Sequence, residues 1–179
     1  QNASTEPTKA ATSEPEPLIT DTKNTESSDE SQAEPLYSSD DMHRLQSTSF
    51  KQRKGVMPWP VKGSVEHHFG EPRQGSVTWE GMRILAKAGT EVRAVHYGRV
   101  VYADWLRGQG MLVILDHGDG YMSLYAHNDV LLHGQGEWVQ AGDSIARVGN
   151  SGGEKETGLY FEIRQAGRTV DPATWLGKR

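Results

Sequence analysis

Residues 55–179 of this 179-residue chain predict a single all-β domain, an antiparallel sandwich or barrel-like sheet. Three observations predict it. Short apolar or alternating runs recur at near-regular spacing, glycine-containing turns separate them, and no helical periodicity of any length intervenes. The runs fall at 65–69, 82–86, 91–94, 98–105, 111–117, 121–127, 144–148 and 159–164. Between them stand residues that favour tight turns, among them Gly89-Thr90, Gly108-Gln109-Gly110, Gly118-Asp119-Gly120, Ala141-Gly142-Asp143 and Ser151-Gly152-Gly153. About 120 residues suffice for one hydrophobic core. In the last run, alternation sets Gly158, Tyr160, Glu162 and Arg164 on one face and Leu159, Phe161 and Ile163 on the other. The apolar trio reads as core.

The chain before residue 55 is of a different kind. Residues 1–37 are rich in Ser, Thr, Glu and Pro and carry almost no large apolar side chains. Such a stretch buries too little surface to offset its backbone entropy, which predicts a disordered linker. Residues 38–54 follow. Ser38 or Ser39 suits a helix cap, Asp40 and Asp41 suit the positive end of the dipole, and Met42 and Leu45 share a face. Two turns are marginal in water, so this segment is either a short helix docked on a surface or further linker. Arg44, Lys51, Arg53 and Lys54 make its end basic.

Charge is distributed as unevenly as pattern. Residues 1–43 hold ten acidic side chains against Lys9 and Lys23, whereas residues 55–179 hold 14 acidic and 13 basic ones. The formal charge of -5 therefore belongs to the leading segment. A near-neutral domain has no cationic surplus to neutralise phosphates, so nucleic-acid binding lacks electrostatic support. There is no cysteine, which removes disulfides, thiolate metal sites and a thiol nucleophile together. No apolar run approaches the roughly 20 residues that span a bilayer. The chain starts at Gln1 with neither a methionine nor a signal-like apolar segment, as a mature or trimmed product does.

Metal or nucleophilic chemistry has little to draw on. The histidines of the domain are His67, His68, His96, His117, His127 and His133. His67 and His68 are neighbours that point to opposite faces of a strand, and the rest lie on separate segments without ligand spacing. No Ser/His/Asp arrangement has supporting local context, and Asp116 and Asp119 sit in turn chemistry.

An ordered set of strings gives a sharper reading: FG at 69–70, WEGMRI at 79–84, GTEVRAVHYGRVVYADW at 89–105, GMLVILDHGDGYMSLYAHN at 110–128, VQAGDSIARVGNSGG at 139–153 and GLYFEIR at 158–164. Together they resemble the lysostaphin/LytM-type zinc endopeptidases over about residues 57–178. In that family zinc is held by the His and Asp of an HxGxD motif and the second His of an HxH motif, with helper histidines in HxH and YxH, leaving a position for water. The resemblance puts HxGxD on Trp79-Glu80-Gly81-Met82-Arg83 and HxH on Gly158-Leu159-Tyr160, and keeps only the helper His127, in Tyr125-Ala126-His127. A guanidinium at position 83 would repel a dication by roughly 8 kcal/mol at about 4 Å and an effective dielectric near 20. The expectation is a degenerate peptidase without metal, cofactor or catalytic residue.

The same resemblance places Trp79, Glu80, Arg83, Tyr125, His127, Tyr160, Glu162 and Arg164 along the former catalytic groove, an open trench of the residue types enriched at protein-binding hot spots. The strings WEGMRI, ADWLRGQG, YMSLYAHN, NSGG, LYFEIR and VDPATWLGKR resemble the EnvC-type murein hydrolase activators most. That implies binding and activation of periplasmic N-acetylmuramoyl-L-alanine amidases during septal splitting in a Gram-negative envelope. Contact with an FtsEX-type complex would belong to an upstream coiled coil that these residues do not include. It also implies that a helix at 39–47 docks Met42 and Leu45 into or beside the groove as a self-inhibitory plug. Two other readings stand: an active zinc endopeptidase with an unusual site, and a passive peptidoglycan-binding module.

Overall fold

The structure, a computed structural model, describes residues 38–47 and 49–179. Among the described residues twelve strands carry the fold: β1 (Ser64–His67), β2 (Pro72–Gln74), β3 (Val77–Thr78), β4 (Met82–Leu85), β5 (Glu91–Arg93), β6 (Gly98–Leu106), β7 (Gly110–Asp116), β8 (Tyr121–Leu131), β9 (Trp138–Val139), β10 (Ser144–Val148), β11 (Gly158–Gln165) and β12 (Arg168–Val170). All pair antiparallel. Seven form the path β1-β4-β11-β8-β7-β6-β9, with β12 beside β11, while β2 and β3 make a separate hairpin. The long β8 pairs with β7 and β11 over its first half and with β10 near its end, and β10 in turn carries β5.

Period-2 alternation divides the side chains between two faces. Met82 and Ile84 of β4, Val113 and Leu115 of β7, and Leu159, Phe161 and Ile163 of β11 enter the main core, which β5 and β10 cover with Val92, Ile145 and Val148. Each large apolar side chain so buried stabilises the fold by about 1.5–3 kcal/mol. The intervening residues Leu112, Leu124, Ala126 and Tyr160 form a smaller cluster with Trp79 on the other face. That second face carries the candidate site.

Helix α1 (Ser39–Ser47) opens at Ser38, whose Oγ accepts from the Asp41 amide at 3.2 Å. A 3-10 turn, Phe50–Arg53, follows. Phe50 is 1% exposed and enters the core between rings of His117, Tyr121 and Trp175, at 4.7, 4.9 and 5.1 Å. Among the described residues no helix is long and apolar enough to cross a membrane.

Candidate functional site

Strand β4 aims Arg83 away from the core because Met82 and Ile84 point into it. The antiparallel register with β11 sets Arg83 opposite Tyr160. The guanidinium is almost wholly enclosed. Its Nε donates to Glu66 Oε2 at 3.1 Å and its Nη2 to the Glu156 carbonyl at 2.7 Å. Its Nη1 lies 3.2 Å from Glu154 Oε2 but makes no hydrogen bond, so that pair is electrostatic.

His127 reaches this cluster through a defect in the sheet. The β7–β8 register passes from Met111↔Asn128 to Val113↔Tyr125, so Ala126 and His127 together oppose Leu112. His127 takes the extra residue's conformation, with φ of +65°, and its amide donates to the Gln109 carbonyl at 2.8 Å. Its Nδ1 donates to the Ser151 carbonyl at 2.9 Å, and its Nε2 lies 3.5 Å from Glu154 Oε1. Burial is the largest influence on the ring and lowers its pKa, so the neutral form holds at pH 7.

Trp79 is covered on its faces. The His67 ring stacks at 4.6 Å with planes 16° apart, and Arg73 of the β2–β3 hairpin sits 4.3 Å from the indole centroid. Tyr160 lies 6.0 Å from Trp79 and 6.1 Å from His127. Its hydroxyl donates to Glu162 Oε1 at 2.7 Å, and Arg164 Nε donates to Glu162 Oε2 at 2.7 Å. Burial first, and the Glu162 charge second, raise the Tyr160 pKa well above the phenol range. Glu162 is 2% exposed, whereas the Arg164 side chain is 39% exposed. Glu80 is exposed, and its charge acts on both Tyr160 and Arg164.

Two expectations need correction. Tyr125 does not line the groove: it is fully buried in the main core against Phe161 at 5.3 Å, and its hydroxyl accepts from the Val95 amide at 3.1 Å. The groove is also less open than a trench of aromatics. Trp79 and Tyr160 are 8% and 4% exposed, and the remaining depression is about 460 Å³, lined by Glu66, His67, Arg73, Trp79, Arg83 and Glu154 among others. Four of those six, Glu66, His67, Arg73 and Glu154, carry no motif that marks them in the sequence.

The helix does not approach this depression through the contact described for it. Tyr97 Oη donates to Asp41 at 3.3 Å, and the Tyr97 carbonyl accepts from His117 Nδ1. His117 and the His127 region lie at opposite ends of β7, about 20 Å apart along the strand. The side chains of Met42 and Leu45 lie outside the described residues.

The residues present do not fit a zinc ion. A guanidinium fills the space, the residues that the motif resemblance sets at the other two ligand positions are the neutral rings of Trp79 and Tyr160, and a Cβ on Gly158 would meet the Ile84 carbonyl at 2.8 Å. Among the described residues no group of three His, Cys, Asp or Glu stands where it could hold a metal ion. His96 and His117 do come together, 5.6 Å apart, but both direct Nδ1 at the Tyr97 carbonyl.

Comparison with known proteins agrees with the fold and its motifs. The chain is 50% identical over 125 residues to the murein hydrolase activator EnvC of Escherichia coli, covering 70% of this chain and 30% of that protein. It is 42% identical over 122 residues to the murein hydrolase activator NlpD of the same species, covering 68% and 31%. The chain thus spans about a third of the length of the curated relatives it matches. A crystal structure of a zinc containing peptidase from Vibrio cholerae has the same fold, with a TM-score of 0.62 at 23% identity over 67% of this chain and 40% of that one. Residues 77–172 match peptidase family M23. With more than half of its length so matched, and with the sheet and groove described above, the chain belongs to peptidase family M23.

Proposed function

We propose that this chain is the partner-binding domain of a murein hydrolase activator. It binds a periplasmic N-acetylmuramoyl-L-alanine amidase of a Gram-negative bacterium through the groove face and performs no hydrolysis itself. One observation carries the reading: Trp79, Arg83 and Tyr160, which the motif resemblance sets at the family's ligand positions, are each built into a packed or hydrogen-bonded arrangement. The names of the relatives support activation of peptidoglycan hydrolases, and the non-ligating site supports a role without catalysis.

The face has one pre-positioned anchor. Glu162, itself buried, grips Arg164 through Nε and leaves the rest of its half-exposed guanidinium toward solvent. A held arginine loses little side-chain entropy on meeting a carboxylate, and such residues dominate binding energy at interfaces. Glu80 beside it offers the opposite charge, so the face can distinguish the orientation of a partner.

The test is reconstitution with a purified periplasmic amidase on dye-labelled sacculi. The wild-type chain should raise dye release, and Arg164→Glu should reduce the stimulation at least about tenfold, the equivalent of losing one interface hot spot, with an unchanged circular dichroism spectrum. Full stimulation by that variant overturns the groove assignment. Chelator-sensitive cleavage by the chain alone overturns the non-catalytic role.

A further inference from the structure

We propose that Arg83 is an internal cation that cross-links β1, β4 and the connection from β10 to β11, and that its removal opens a pocket able to accept a free guanidinium ion. This inference goes beyond the partner-binding role and does not depend on it.

Three segments distant in sequence meet at the Arg83 side chain, which is 4% exposed. Strand β1 contributes Glu66, β4 contributes Arg83, and the connection from β10 to β11 contributes Glu154 and the Glu156 carbonyl. The connection is the segment that most needs fixing. Residues 149–157 form no strand, and Gly152 and Gly153 take φ of +83° and +94°. Its first part is held by backbone fit: the Gly152 Cβ position would lie 2.5 Å from Gly110 N, and Ser151 Oγ accepts from Met111 N at 2.9 Å. Arg83 holds its second part.

A guanidinium suits this task by its chemistry. Its planar fork presents donors in several directions at once, and its charge persists across the pH range of folded proteins. Two carboxylates face it, Glu66 and Glu154, so the enclosed cation is matched rather than stranded. An ammonium would deliver one point charge and could not span Glu66, Glu156 and Glu154 together. Loss of the arginine leaves two carboxylates and a carbonyl around a vacated volume, the recognition set of a guanidinium.

Amide hydrogen exchange, read segment by segment, tests this on the whole chain. In Arg83→Ala, exchange across residues 150–157 should rise at least about tenfold over wild type, while amides of β7 and β8 change little. Methylguanidinium chloride at millimolar concentration should restore protection there, and sodium chloride at equal ionic strength should not. Should Arg83→Ala fail to fold, Glu154→Gln carries the test of the cross-link: it removes the carboxylate contact of the connection while Arg83 stays bonded to Glu66 and to the Glu156 carbonyl, so a smaller rise across residues 150–157 is expected. Unchanged exchange at 150–157 in a folded variant overturns the proposal. So does a rise that methylguanidinium and sodium chloride reverse equally.

Discussion

At the scale of single residues, Tyr160, Glu162 and Arg164 share one buried carboxylate. Both oxygens of Glu162 accept, one from the phenol and one from the guanidinium, each at 2.7 Å. A buried carboxylate is tolerated because it is fully engaged, and removing one donor leaves an oxygen without its partner. Tyr160→Phe should therefore lower unfolding free energy by about 1–3 kcal/mol in urea titrations, the cost of an unsatisfied buried acceptor. A change below about 0.5 kcal/mol would mean that water replaces the phenol. The same geometry gives Arg164 its role, because the carboxylate that stabilises it also orients it.

At the scale of elements, the 3-10 turn Phe50–Arg53 is the fastening between α1 and the sheet. The pocket that receives Phe50 includes His96 and His117, both buried. His117 Nδ1 donates to the Tyr97 carbonyl at 2.7 Å, and Nε2 meets Ser123 Oγ at 2.7 Å, which lies 2.9 Å from the Tyr125 hydroxyl. Burial pushes the His117 pKa down from 6.5 to about 3, and burial lowers His96 as well. A depressed value means that the unfolded chain binds the proton more readily. The stabilisation is complete above pH 6.5 and is lost as pH falls from there toward 3. Urea midpoints measured from pH 7 to pH 4 should decline, with a slope from His117 approaching about 1.4 kcal/mol per pH unit. His117→Gln should flatten the decline, and an equally steep decline in that variant would assign it to other groups.

At the scale of the whole molecule, the described core begins at Phe50 and ends at Leu176, whose neighbour Gly177 bonds back to Met57 at 2.8 Å. Removal of residues 1–37 should leave the thermal midpoint within about 2 °C of the full chain. Removal of residues 1–54 deletes Phe50 and should cost about 3–5 kcal/mol, the value of a buried phenylalanine, or several degrees. Equal midpoints for the two truncations would show that Phe50 does not anchor the segment. Much of the fold was legible before any coordinates. Strand β10 falls at 144–148 as the pattern has it, and seven other runs match strands to within a few residues. The runs missed, β2, β3, β9 and β12, are two or three residues long, too short to display a period.

The groove was legible only in part. Alternation determined that Tyr160 and Glu162 turn away from Leu159, Phe161 and Ile163, and the motifs determined that Trp79, Arg83, His127 and Tyr160 belong together. Reading Tyr125 and His127 on one face failed because the bulge at Ala126 and His127 inserts a residue, and an extra residue inverts which side the next one faces. The partners of Arg83 were decided by the tertiary structure alone. Glu66 and Glu154 are 88 positions apart (66 to 154), on an irregular strand end and a connection without period, and only chain closure makes them neighbours. From the sequence by itself Arg83 stands as a charge that repels a metal. Its enclosure by two carboxylates and a carbonyl, which turns a repelling charge into a cross-link, is a fact of the fold.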